Sequence, residues 1–171
     1  MKKILLLIFI LRSIVLSGQI SDEPYKSSAK NSILAVFGGS GKYTSLFYER
    51  SVIQTSWFQF GAKGGVGISP FSLSFPHEFN VPVGLFLVYG KKNHHPDLSL
   101  NITNLFIQQY DLGAESSYRA YKALFVPTLA YRYQKPDGGL TIKFGISPVI
   151  YFNRIQTTVS PWLEFGAGWS F

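Results

Sequence analysis

From Pro161 to Phe171 the chain reads P-W-L-E-F-G-A-G-W-S-F, with Leu163, Phe165, Ala167, Trp169 and Phe171 on one parity and Glu164, Gly166, Gly168 and Ser170 on the other. A period of two puts the apolar groups on one side of an extended strand and the small or polar groups on the opposite side. Related stretches, rich in β-branched or aromatic residues and bounded by Gly, Pro, Asn and Asp, recur along the chain at about 31–38, 42–53, 56–68, 79–91, 97–107, 122–134 and 139–151. No convincing helical period interrupts them, so eight strands and an all-β fold are predicted.

The large apolar face of each strand needs a cover, and strand length points to lipid. Most segments are near the roughly 9–11 residues that a tilted strand needs to cross a bilayer. The third segment places Phe58, Phe60, Ala62, Val66 and Ile68 outward against Trp57, Gln59, Gly61 and Lys63. The seventh places Leu140, Ile142, Phe144, Ile146 and Ile150 outward against Thr141, Lys143, Gly145 and Ser147. Aromatic residues at strand ends, such as Tyr89, Tyr131 and Tyr133, suit the two membrane interfaces. The connections alternate in length: those at 54–55, 93–96 and 135–138 are short, and those at 69–78, 108–121 and 152–160 are longer. Tight turns on one rim and loops on the other are the arrangement of an up-and-down transmembrane β-barrel. The connection at 39–41 is too short for the loop rim, which leaves open whether 31–53 forms one kinked strand or two.

The amino terminus adds a destination. Lys2 and Lys3 precede the apolar run Ile4 to Leu11, and Ser17-Gly18 supplies small residues near a cleavage point, so residues 1–18 read as a secretory signal peptide. Arg12 interrupts the run and argues against a retained helix. Residues 19–30 are expected to be a flexible arm, and 31–171 a single barrel domain. The formal charge of +7 includes Lys2, Lys3 and Arg12, and what remains is too mild to imply a nucleic acid partner. The absence of cysteine excludes disulfides, thiolate chemistry and an acyl-cysteine anchor.

The chain resembles the small bacterial outer-membrane β-barrel proteins, the eight-stranded OmpX/OmpA-like group of Gram-negative envelopes. The segments that carry the resemblance are Ser45-Leu46-Phe47-Tyr48-Glu49-Arg50, Val81-Pro82-Val83-Gly84-Leu85, Val126 to Gly139, and the terminal Pro161 to Phe171. The resemblance implies a single eight-stranded antiparallel up-and-down transmembrane barrel in the outer membrane, with membrane lipid and the barrel-assembly machinery as partners. It also implies that Leu163, Phe165, Ala167, Trp169 and Phe171 form the strand which that machinery recognises. An activity does not transfer with it, because one architecture serves many functions.

Candidate chemistry is sparse. Glu49, Lys63, Arg132, Lys143 and Glu164 fall on inward faces, where opposite charges in a narrow lumen are expected to pair. Eight strands enclose a space that side chains just fill, so a polar plug is the leading expectation and a narrow passive pore the alternative. Phe37-Gly38-Gly39-Ser40-Gly41-Lys42-Tyr43-Thr44 superficially suggests a phosphate-binding loop. Val36 and Tyr43 stand where that pattern needs Gly and Ser or Thr, so a tight glycine turn is expected. His94-His95 beside Pro96-Asp97 reads as a solvated turn without a third metal ligand, and His77-Glu78 as part of an outer loop. No cofactor or enzymatic role is expected, a lipid-modifying enzyme being the weaker alternative. The loops 69–78 and 108–121, with Phe71, Phe75, Tyr110, Tyr118, Arg119 and Tyr121, are expected to anchor at the membrane interface, contact with a partner outside the cell being the alternative. A soluble ligand carrier would instead turn the large apolar groups inward.

Overall fold

The computed structural model describes residues 28–68, 77–90, 92–111, 116–152 and 157–171. The expected signal peptide, residues 19–27 of the expected arm, and residues 69–76 and 112–115 of the two expected contact loops lie outside the described residues. Alternating sequences give strands, as their period requires: β1 (Asn31–Gly38), β2 (Thr44–Gln54), β3 (Phe58–Ile68), β4 (His77–Tyr89), β5 (His94–Asp111), β6 (Ser116–Gln134), β7 (Gly139–Ile146), β8 (Val149–Phe152), β9 (Thr157–Ser160) and β10 (Leu163–Ser170). Each pairs antiparallel with its chain neighbour from β1 to β7, and β10 lies between β7 and β1, with Ala35 opposite Ala167. The sheet therefore closes on itself. β8 continues the line of β7, and β9 precedes β10 in the same way, so the wall is an eight-stranded antiparallel barrel.

Two breaks occur at prolines. Ser147-Pro148 separates β7 from β8, and Pro161-Trp162 separates β9 from β10. The flanking registers, Leu129 with Ile146 and Phe125 with Ile150, set Pro127 opposite Pro148. Those of Leu163 with Ile146 and Val149 with Ser160 set Pro161 on the other side of Pro148. Three residues without an N–H stand in one row, and the strands lose their regular ladder there.

β1 and β2 are two strands, which resolves the alternative left open above. They are joined through a 3-10 turn, Gly39–Gly41, whose three residues are all buried. The short loop folds into the mouth of the barrel instead of standing above it. Gly38 and Gly39 have φ of 75° and 52°, and a side chain on Gly39 would sit 2.3 Å from the Glu164 carboxylate, so this entry needs glycine.

Three element boundaries differ from expectation. His94 and His95 are in β5, opposite Tyr133 and Arg132, and not in a turn; Gly90, with φ 126°, and Lys92, with φ 74°, take the turn instead. His77 and Glu78 begin β4 and are not loop residues. Most of the loop expected at 108–121 is a hairpin, with Gln108 opposite Arg119 and Asp111 opposite Ser116. Its mixture of polar residues removed the alternation that signals a half-buried strand. An antiparallel ladder does not need alternation where water bathes both faces.

Candidate functional site in the lumen and the loop-end extension

Inward parity gathers the charged residues along the barrel axis. Three basic side chains, Lys63, Arg132 and Lys143, and three acidic ones, Glu49, Asp97 and Glu164, are buried by the wall. Arg132, on β6, pairs through Nη2 with Glu49 of β2 and through Nη1 with Asp97 of β5 at 3.3 Å. Lys143, on β7, reaches Asp97 at 3.3 Å and Glu164 of β10 at 3.1 Å. Asp97 is 0% exposed, Arg132 and Lys143 each 1%, so none of these pairs shares its charge with bulk water. Lys63 donates to Ser99 Oγ at 3.1 Å and lies 5.1 Å from the Phe47 ring centre, while Arg132 stacks toward Phe86. The chain of contacts runs from Glu49 through Arg132, Asp97 and Lys143 to Glu164.

Glu164 then ties this chain to the inward turn. Its Oε2 accepts hydrogen bonds from the Ser40 backbone N–H at 2.9 Å, from Ser40 Oγ at 2.9 Å and from Ser147 Oγ at 3.1 Å. Thr103 Oγ1 donates to the Ser40 carbonyl at 2.6 Å, and Asn80 Nδ2 donates to the Gly41 carbonyl at 3.2 Å. Lys42, which leaves the turn, pairs with Glu78 at the start of β4. Strands β4, β5 and β10 therefore hold the turn from three sides. At the opposite rim, hydroxyls close the space between strands: Ser32 with Ser170 at 2.8 Å and Thr141 with Ser170 at 2.5 Å.

The structure places all five inward residues singled out from sequence within the wall and brings Glu49 to Arg132 and Lys143 to Glu164 directly. Asp97 joins both pairs and was missed. Its signal was the alternation Asp97, Ser99, Asn101, Thr103 against Leu98, Leu100, Ile102, obscured by assigning the adjoining His-His-Pro to a turn. Ser40 was missed as well, since nothing local tells whether a glycine turn folds inward. The terminal strand lies between β1 and β7, with Leu163, Phe165, Trp169 and Phe171 exposed on the outer face and Ala167 half-buried. Asn31 and Phe171 exchange two backbone hydrogen bonds of 2.8 Å, and Ser28 and Ala29 bond the Pro136 carbonyl.

Toward the loop end the interior changes character. Leu105 and Ile107 of β5 pack with Leu124 and Val126 of β6, and Ala120, Val149 and Tyr151 border them. The outer face there carries Asn104, which donates to the Val81 carbonyl at 3.1 Å and accepts from Tyr121 OH at 2.6 Å. Phe79, Phe106 and Tyr121 form a row of rings just beside it. The extension, made of the ends of β5 and β6 with β8 and β9, ends on an edge: among the described residues β9 pairs only with β8. His94 lies on the outer face near the other rim, bonded to Tyr131 OH and edge-on to Tyr133. The described residues contain no cluster of three or more His, Cys, Asp or Glu that could hold a metal ion.

No family model matches the sequence, and no curated protein matches it either. Two solved structures share its shape. The N-terminal β-barrel domain of Pseudomonas aeruginosa OprF superimposes with a TM-score of 0.58 at 9% identity, over 85% of this chain and 99% of that one. Ail, the attachment invasion locus protein of Yersinia pestis, does so with a TM-score of 0.53 at 13% identity, over 87% of this chain and 100% of that one. At such identities the likeness is one of fold, and the fold is that of the small eight-stranded barrels of the OmpX/OmpA type.

Proposed function

We propose that this chain is an integral outer-membrane barrel, exported by the leader at 1–18, whose lumen is closed to solutes and whose extension meets partners at the cell surface. The observation that carries the reading is the polarity of the wall. Leu46, Val66, Leu85, Leu100, Leu129, Phe144 and Phe165 all stand exposed on the outside, while Glu49, Lys63, Asp97, Arg132, Lys143 and Glu164 are buried inside. In water this arrangement is inverted; in lipid it is the stable one, because a closed ladder satisfies every backbone group and only apolar side chains meet hydrocarbon. The likeness in fold to the OprF β-barrel domain and to Ail supports the barrel on which this reading rests.

Closure of the lumen follows from charge balance and from the inward turn. Three cations face three carboxylates, and the 3-10 turn stands across the loop-end mouth with Glu164 beneath it. An ion entering would have to separate these pairs. The role is structural or adhesive and not enzymatic, since the buried carboxylates are committed to cations and to the turn. The edge of β9 and the β5–β6 hairpin offer a partner backbone donors and acceptors outside the membrane, the mode of strand addition. On this reading Leu163, Phe165, Ala167, Trp169 and Phe171 are the face that the assembly machinery receives, and no cofactor is involved.

Single-channel recording of the purified protein in a planar bilayer tests closure. The expected trace is flat; stable discrete conductance would establish the narrow pore instead. Fractionation of expressing cells, with heat-dependent gel mobility, tests the location. Recovery of a folded, heat-insensitive monomer from the soluble fraction would overturn it.

A further inference from the structure

The exposed cations are not scattered evenly. Among the described residues the exposed Lys and Arg side chains are Lys30, Arg50, Lys92, Arg119, Lys122 and Lys135. Arg119 and Lys122 stand on the extension. The other four ring the tight-turn end: Lys30 where the chain enters β1, Arg50 on the outer face of β2 opposite Asn31, Lys92 between β4 and β5, and Lys135 between β6 and β7. The exposed acid among the described residues at that end is Asp137. The carboxylates of Glu49, Asp97 and Glu164 cannot offset the collar, because they lie inside the wall and are paired with Arg132 and Lys143.

Exposed rings accompany these cations. Tyr48, Trp57, Tyr89, Tyr131, Trp169 and Phe171 are all exposed around this rim, and Tyr48 OH bonds Asn31 beside Arg50 at 2.7 Å. Trp and Tyr settle at the headgroup level of a bilayer, with the apolar wall above them in hydrocarbon. Lys and Arg next to such a belt lay their stems along the wall and hold their charged ends among the headgroups. Four cations against one exposed acidic side chain, with aromatic rings beside them, form a surface complementary to phosphate diesters.

We propose that this collar binds anionic phospholipid headgroups of the leaflet around the tight-turn end, in preference to zwitterionic ones. Arg50 presents a fork that two phosphate oxygens can share, and the three ammonium groups act as point charges. The inference rests on the membrane reading above and adds a ligand class to it.

The test uses the full chain refolded into vesicles of phosphatidylcholine with a minor share of phosphatidylglycerol, one or the other brominated. Three tryptophans report quenching. Trp162 stands at the loop end against Tyr43, so a Trp162→Phe background leaves Trp57 and Trp169, both on the collar rim. Brominated phosphatidylglycerol should be enriched about fivefold over its bulk share beside these rings, as expected for one basic group near the surface. The Lys30→Gln, Arg50→Gln, Lys92→Gln, Lys135→Gln variant should fall below about twofold. In the unmutated collar about 1 M salt should do the same, since the screening length is then roughly 3 Å. Equal quenching by the two lipids, with a heat-modifiable barrel present, would overturn the collar and leave the barrel standing. Failure to insert at all, with the chain folded in buffer, would overturn the membrane reading and the collar together.

Discussion

The same two strands have opposite polarity at their two ends. Along β5, residues 97–103 turn Asp97, Ser99, Asn101 and Thr103 inward and Leu98, Leu100 and Ile102 outward; beyond them Leu105 and Ile107 are buried and Asn104 lies outside. Along β6, Arg132 and Thr128 are inside with Leu129 and Tyr131 outside, whereas Val126 and Leu124 are inside with Tyr121 outside. The backbone and the pairing register run through without interruption. On the membrane reading, what changes is the medium outside the wall. Where it is lipid, large apolar groups cover the outside and the charges gather in the lumen, beside the buried Leu34, Val36, Phe47, Phe86 and Val88. Where it is water, the hydrophobic effect returns and packs Leu105, Ile107, Leu124 and Val126 into a small core. On that reading the switch along β5 falls beside the row Phe79, Phe106 and Tyr121.

This contrast is open to attack from both ends. The largest effect is expected in the body: Asp97→Ala leaves Arg132 and Lys143 buried with one partner fewer, and breaking a buried pair in this way costs about 3–5 kcal/mol. Urea titration of the protein in vesicles measures it, and a loss below about 1 kcal/mol would mean that water reaches the lumen freely. Next comes the outer face. Leu100→Arg should cost about 2–4 kcal/mol and Asn104→Arg no more than about 1 kcal/mol, because the penalty falls with distance from the bilayer midplane. Equal costs would move the boundary off Asn104.

Leu105→Ala opens a cavity in the extension and should cost about 2–3 kcal/mol, near the low end for a buried Leu. Hydrogen exchange should show the loss confined to β5, β6 and β8 above the proline row. Spread of the loosening into β1 to β3 would make body and extension one cooperative unit. The smallest effect is at the boundary itself: Tyr121→Phe removes the hydrogen bond to Asn104 and should cost about 1 kcal/mol, read from the same titration.

The wall was legible because period two is local. Leu140, Ile142, Phe144 and Ile146 announce an outer face whether or not the partner strand is known; β7 and β10 follow their expected parities, and β3 does so from Phe58 on, whereas Trp57, expected inward, stands exposed ahead of β3. Inward placement of Glu49, Lys63, Arg132, Lys143 and Glu164 came from the same count. Which of them touch is a different matter. Glu49 and Arg132 are far apart along the chain and meet only because β2 and β6 face each other across a closed cylinder. Asp97 escaped notice since a polar His-His-Pro run looks like a turn until Gly90 and Lys92 are seen to make it. The hairpin within 108–121 hid for the opposite reason, its mixed polarity lacking the alternation that announces a half-buried strand.

Alone, the order of residues determined the class of fold, a count of eight strands with the first pair left open, the outward faces of β7 and β10 and the alternation of short and long connections, all consequences of side-chain alternation and turn chemistry acting over a few residues. The tertiary structure decided that Asp97 joins two ion pairs, that Gly39–Gly41 folds into the mouth onto Glu164, and that the interior changes from charged to apolar partway along β5 and β6. Those outcomes depend on distances across the barrel and on which solvent lies outside it, and neither quantity is written in the spacing of residues along a chain.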